Sequence, residues 1–201
     1  MVQTRRARGP YAKSRGRRAE IVGAAVEVFS TAGYHKGSLR EVADKVGLSQ
    51  AGLLHHFPSK ERLLQAVLTW RDEGAVEHIG RPLPEGTDLL RALVLLAEHN
   101  ARAPELVELH VVLSAEGTSA DHPLHAYFVD RYAFVYDLVL RALGHAEAHG
   151  QLRPEVDRPS AARTLIALMD GLQAQWLLHR HEVDMPTDLR RYVQALLTVD
   201  L

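Results

Sequence analysis

The sequence predicts an all-α fold in two parts: an N-terminal three-helix unit containing a helix-turn-helix, and a larger C-terminal helical domain. Three observations carry this. Apolar residues recur at i, i+3, i+4 and i+7 along most of the chain, the spacing of amphipathic helices. Two short periodic segments near the N-terminus are separated by a glycine turn at Gly47. No alternating strand pattern and no Asn-Gly hairpin signal appears anywhere.

The elements follow in order. Residues 1–13 are Arg-rich and aperiodic and read as a flexible basic arm. Ile21, Ala24, Ala25, Val28 and Phe29 form the core stripe of a first helix, with Gly33 placed as its C-terminal stop. Ser38 and Glu41 have capping-box spacing, so each is expected to satisfy an orphan amide at the start of a second helix. Leu39, Val42, Ala43 and Val46 give that helix its core face, and Gly47 ends it. Ser49 can cap a third helix, which Leu53 and Phe57, four apart, would anchor on the first two. Pro58 and Ser59 open a fourth through Leu63, Leu64, Val67 and Leu68. Further helices are expected at about 88–102, 104–115, 124–148, 160–180 and 187–199, separated by Pro- and Gly-containing loops.

Composition bounds the function. The chain has 201 residues, enough apolar content for a real core, and no cysteine, which excludes disulfides, thiolate metal sites and a thiol nucleophile. No apolar run approaches a membrane span, and no apolar segment follows the basic start as in a secretory signal, so a soluble cytoplasmic protein is expected. There is no G-x-S-x-G, no phosphate-binding glycine loop and no dinucleotide fingerprint, so no catalytic residues and no cofactor are expected. Formal charge is −1 overall but uneven. Residues 1–60 hold eleven Lys or Arg against four acids, a net of +7, and the remainder holds thirteen against twenty-one, a net of −8. A basic end on an acidic body points to a polyanionic partner.

The segment Gly47–Lys60 sharpens this. As an isolated helix it is poor, because Gly52 interrupts it at a cost of about 1 kcal/mol and Gln50, His55 and His56 are unsuited to a core. Laid in a DNA major groove it makes sense. Small Ala51 and Gly52 permit close approach, Gln50 can read an adenine edge, and Lys60, in the first turn of the next helix, favours a phosphate. The imidazolium forms of His55 and His56 are favoured near phosphates, so DNA binding is expected to tighten as pH falls from about 8 toward 6.

The segments AAVEVFSTAGY and SLREVADKVGLSQAGLLHHFPSKERLL, with their spacing, resemble the DNA-binding domain of the TetR family of bacterial transcriptional regulators over residues 17–64. That resemblance implies residues 14–60 as the DNA-binding domain and 61–201 as a helical ligand-binding and dimerisation domain. It implies a repressor that binds a palindromic double-stranded operator as a homodimer and leaves it when a small apolar or aromatic effector binds. The expected DNA contacts are Arg15, Arg17, Arg18, Ser38, Arg40, Gln50, Ala51, Gly52, His55, His56 and Lys60. Leu54 departs from the family, which usually has a phosphate-binding tyrosine there, although leucine can still meet a thymine methyl.

In the C-terminal half, Leu165, Met169, Leu172 and Trp176, with Leu189, Tyr192, Val193 and Leu196, form two stripes that the resemblance places at the dimer interface, with Gly171 allowing close helix crossing. His99, His110, Tyr127, Tyr132, Asp170 and Gln173 are polar residues in apolar helical stretches and are the candidates for an effector pocket. Two rival readings stand beside this one. Twelve histidines, among them His145 and His149 one turn apart, suggest a metal-responsive sensor. Glu147 sits one place too late for the zinc-protease pattern, however, and the pairs His122/His125 and His179/His181 lack a clear third ligand, so no metal site is assigned. A helical interaction module using the basic arm on nucleic acid, without an effector, is the other.

Overall fold

The structure is a computed structural model that describes residues 10–201, with side chains described from residue 16 onward. The basic arm as far as residue 9, and the side chain of Arg15, lie outside the described residues. The described residues form nine α-helices: α1 Pro10–Lys36, α2 Leu39–Lys45, α3 Gln50–His56, α4 Lys60–Ile79, α5 Gly86–Asn100, α6 Pro104–Glu116, α7 His125–Ala148, α8 Arg158–Leu178 and α9 Met185–Leu196. An isolated antiparallel bridge, Leu152 to Leu197, is the only strand-like pairing among them. The backbone at residues 10–13 is helical, where composition suggested the end of an aperiodic arm. Pro10 suits a first helical turn, where its missing N–H has no partner to lose.

The head is built by caps and one apolar seam. Gly33 interrupts α1 with φ 66°, a backbone conformation that favours glycine, and its Cα faces the Glu116 carboxylate. Ser38 accepts from the Arg40 amide at 3.2 Å. The reciprocal Glu41 half of the capping box is not formed, and Glu41 stays exposed. Gly47, at φ 65°, ends α2 in a Schellman arrangement: Leu48 N–H donates to Ala43 O at 2.9 Å and Gly47 N–H to Asp44 O at 3.1 Å. Ser49 then caps α3 through the Gly52 amide, 3.1 Å away. Leu53 and Phe57 are buried with Ile21, Phe29, Val42 and Leu63 in one cluster. The first half of α4 belongs to that cluster too, so head packing runs past residue 60.

A second core fills the C-terminal domain, where α5, α7, α8 and α9 close around Leu90, Val94, Val139, Leu165 and Val193. The link between the two is α6. It packs most extensively against α1, and its Leu109 and Leu113 join the head cluster while its Val107 belongs to the C-terminal core.

Candidate functional site

The candidate DNA-contact surface is the outer side of α3. Gln50, Ala51 and His55 are exposed, while Gly52, Leu54 and His56 are half-buried. A Cβ at Gly52 would come within 3.3 Å of the capping Ser49 Oγ, so glycine here keeps the cap open as well as the surface flat. The opposite side, through Leu53 and Phe57, is fixed in the head core. Arg40 is exposed on α2, in a loose 4.0 Å pair with Asp44.

Three expected DNA contacts are occupied elsewhere. Arg17 donates to Val46 O at 2.6 Å and pairs with Glu20 at 2.5 Å. Arg18 donates to His56 O at 2.5 Å and lies over the Phe57 ring, 4.1 Å from its centroid. Both guanidiniums therefore serve the bare carbonyl ends of α2 and α3, where cations are favoured, and hold the helix-turn-helix onto α1. Lys60 folds back over the Tyr34 ring at 4.7 Å and donates to His35 O at 3.4 Å rather than standing free for a phosphate. Its partial burial lowers its pKa, because the charged form loses hydration.

Tyr34 is a joint that the sequence did not reveal. Its amide donates to Glu116 Oε2 at 2.7 Å and its hydroxyl to Glu61 Oε1 at 2.6 Å. The hydroxyl and Ser59 hold the Glu61 carboxyl down at about 2, and the same bond pushes the Tyr34 phenol up to about 12. His122 packs edge-on against the Tyr34 ring at 4.7 Å, and its own pKa is lowered, by burial first. Beside the Gly33 break, Tyr34 thus adds a polar joint between the head and the end of α6 to the apolar packing of α1 on that helix.

Between α4, α5, α6, α7 and α8 lies a cavity of about 170 Å³. Four of the expected pocket residues line it: His99 at the exposed rim, and His110, Asp170 and Gln173 inside. Tyr127 and Tyr132 do not. They stand behind it, Tyr127 donating to Asp72 Oδ2 and Tyr132 to Asp170 Oδ2 at 2.6 Å. Burial, reinforced by these carboxylates, raises both phenols, Tyr132 to about 12. Missed altogether were Arg71 and Arg131, which line the cavity and share Asp72 Oδ1 at 3.4 and 3.1 Å. His110 Nε2 is 3.2 Å from Asp170 Oδ1. Burial, with the Arg71 charge beside it, pushes the His110 imidazole down to about 4, while Asp170 is held below its ordinary value by His110 and Tyr132 despite its own burial. Arg71 Nε, His110 Nδ1 and Gln173 Oε1 are buried without a hydrogen-bond partner. A second hollow of about 320 Å³, lined by Glu85, Arg141 and His145, is more open and holds no comparable buried charge.

Of the expected dimer stripes, Leu165, Leu172, Trp176, Leu189 and Val193 are buried in the chain's own C-terminal core. Met169, Tyr192 and Leu196 are half-buried against the same core. The face of α8 turned away from it carries Thr164, Ala167, Gly171, Ala174 and Leu178, the last 76% exposed. The histidine pairs are also resolved: His145 stacks on His149 at 4.2 Å, and His145 Nε2 lies 3.4 Å from Glu85. No group of three or more His, Asp or Glu among the described residues is placed to hold a metal ion. Nor is any described helix long and apolar enough to cross a membrane.

A three-helix head presenting one capped helix outward, carried on a helical domain with an internal cavity, defines a helix-turn-helix transcriptional regulator with a sensor domain. Residues 21–67 match the family of bacterial regulatory proteins described as tetR family, and residues 87–198 match the BetI-type transcriptional repressor C-terminal domain. The chain belongs to the TetR family, whose members are transcriptional regulators and not enzymes. It is 26% identical over 160 residues to the HTH-type transcriptional regulator UidR of Escherichia coli, covering 78% of this chain and 80% of that protein. With the HTH-type transcriptional regulator TtgR of Pseudomonas putida identity is 28% over 196 residues, 89% of this chain and 88% of the relative. The solved structure of Salmonella enterica GusR superposes with a TM-score of 0.72 at 27% identity, covering 95% and 98% of the two chains.

Proposed function

We propose that this regulator is a repressor that reads a palindromic operator as a homodimer and is released by a small molecule bound in the 170 Å³ cavity. The observation that carries the reading is the orientation of α3. Leu53 and Phe57 lock one side into the head, leaving Gln50, Ala51 and His55 facing outward, with Arg40 exposed on α2. These four residues, with Ser38, Gly52 and His56, form the proposed contact surface. Arg17 and Arg18 brace it, and Lys60 reaches a phosphate only by leaving Tyr34.

For the second copy, the outer face of α8 is the proposed surface in place of the stripes now accounted for by the core. A Cβ at Gly171 would meet only Gln175 Nε2, at 3.9 Å, so another helix can approach closely there, and exposed Leu178 supplies apolar area beside it. Release follows from α6. His110 touches the cavity, and Glu116, six residues on and about 9 Å along the helix, holds the Tyr34 amide. A ligand that displaces α6 therefore moves the head.

The test is selection of bound sequences from random duplexes, followed by titration of the winning site. Gln50→Ala is expected to lose about 1–3 kcal/mol on the selected operator and to relax one base position. An interaction module without sequence preference would instead show salt-sensitive binding and no specificity ratio that survives rising salt. If Gln50→Ala leaves discrimination unchanged, α3 is not the reader.

A further inference from the structure

The polar groups of the cavity are unbalanced in a way that selects its ligand. Arg71, Arg131 and Asp170 line it, two positive charges against one negative, giving a formal +1. Asp72, outside the lining, serves both guanidiniums through one oxygen and accepts from Tyr127 at the other. Both Asp170 oxygens are also engaged, by His110 and Tyr132. No carboxylate oxygen there is left without a donor. The unpaired charge, by contrast, is positive. Each guanidinium has several N–H groups and spends one on Asp72, and Arg71 Nε is buried with no acceptor; the unpaired acceptors beside it, Gln173 Oε1 and the second ring nitrogen of His110, carry no charge. Burial and the neighbouring Arg131 lower Arg71 to about 10, the strain of a cation short of negative charge.

Size fixes the rest. An apolar cavity of about 150 Å³ holds one benzene molecule, so about 170 Å³ suits a single ring with a short substituent. Trp70, Leu96, Leu106, Val135 and Met169 supply an apolar surround for it.

We propose that the cavity takes a single-ring organic monoanion, with its carboxylate on the Arg71–Arg131 edge and its ring among the apolar residues around Met169. This rests on the cavity being the effector site and adds the chemical class of the effector. A carboxylate would form charge-assisted, fork-matched hydrogen bonds with guanidiniums that the fold has already dehydrated, so the desolvation cost falls mainly on the ligand. A cation would meet two guanidiniums and find no free acceptor oxygen on a carboxylate. Gln173 Oε1, buried and unpaired, can take a hydroxyl on the ring.

The probes are benzoate and phenylacetate, with benzamide and benzyltrimethylammonium as neutral and cationic counterparts, titrated by calorimetry into the full-length protein. The carboxylates are expected to bind at least tenfold more tightly than benzamide, and the ammonium not at all. Arg131→Gln should bring benzoate down to no better than benzamide in the same variant, with the far-ultraviolet circular dichroism unchanged; Arg131→Lys, keeping the charge but not the fork, should retain part of the preference. The proposal is overturned if benzamide or the ammonium binds as tightly as benzoate, if none of the four binds at millimolar concentration, or if Arg131→Gln keeps the preference. Operator titration with each probe separates the two readings. Release of DNA by the amide or the ammonium would sink the anion assignment and leave effector release standing. Preferred carboxylate binding with unchanged operator affinity would do the reverse.

Discussion

His110 makes the stability of this protein depend on pH with a definite sign. Its imidazole is buried against Arg71 and Arg131 and titrates at about 4 in the folded chain, against 6.5 when exposed. The unfolded chain therefore binds a proton that the folded chain refuses between those values. The stabilisation is fully present above pH 6.5 and is lost progressively as pH falls toward 4. The window spans about 2.5 pH units, which at 1.36 kcal/mol each amounts to about 3 kcal/mol, of which about 2 kcal/mol is already lost at pH 5. Asp170, Arg71 and Arg131 keep their charges throughout that window, so they do not change its sign. The assay is urea unfolding at fixed ionic strength from pH 7.5 to 5, comparing wild type with His110→Gln, whose amide can still donate to Asp170 but cannot titrate. His122, also lowered by burial, is common to both and cancels in the difference. The wild type should lose about 2 kcal/mol more than the variant over this range, equivalent to roughly 4–8 °C in Tm for a chain of this size. Parallel pH profiles would refute the burial of a neutral imidazole at the cavity.

Three further outcomes are expected. Gly23 is exposed within α1 and a Cβ there meets nothing within 4 Å, so Gly23→Ala should stabilise by about 0.5–1 kcal/mol in thermal or urea unfolding; destabilisation would mean that α1 is not a regular helix at that point. Ser49→Ala removes the cap from the Gly52 amide and should cost about 1 kcal/mol of stability, weakening operator binding without altering base preference, as competition between operator variants would show. Glu116→Gln replaces a charge-assisted bond to the Tyr34 amide by a neutral one, at a cost of about 1 kcal/mol, and should shrink the ratio of operator affinities without and with ligand while calorimetric ligand affinity stays put.

The head was legible because its signals are local. Ser49, Gly47 and the Leu53/Phe57 pair act within a few residues of themselves, and a periodic stripe plus a cap defines a helix without knowledge of the rest. The cavity was only half legible. His110, Asp170 and Gln173 stood out as polar residues in apolar stretches, but Arg71 and Asp72 sit in a run of α4 that reads as an ordinary solvated face. Their partners Tyr127 and Arg131 lie 55 and 59 residues from Asp72, a separation at which sequence spacing carries no information. The same limit explains the dimer stripes. Periodicity announced that Leu165, Leu189 and Val193 are buried but not what buries them, and a chain with enough helices closes its own core first.

Tyr34 shows what kind of residue escapes both routes. It lies just past a helix break, where pattern arguments stop, and its role comes from several elements meeting at one side chain: Glu61 and Lys60 from α4, Glu116 from α6, and His122 from the loop before α7. That position makes it a polar connection between the head and the helix that carries His110. The head's apolar seam runs on through Leu109 and Leu113 of α6, so head and helix move as a packed body, while Glu116 fixes the register of that body through a single charged acceptor. On the proposed function, a C-terminal domain that repacked around a ligand at His110 would move α6 first, since His110 lies on that helix and α2 and α3 do not touch the cavity. On the proposed function α3 would respond as a rigid unit, because its own anchors, Leu53 and Phe57, are buried in the head core.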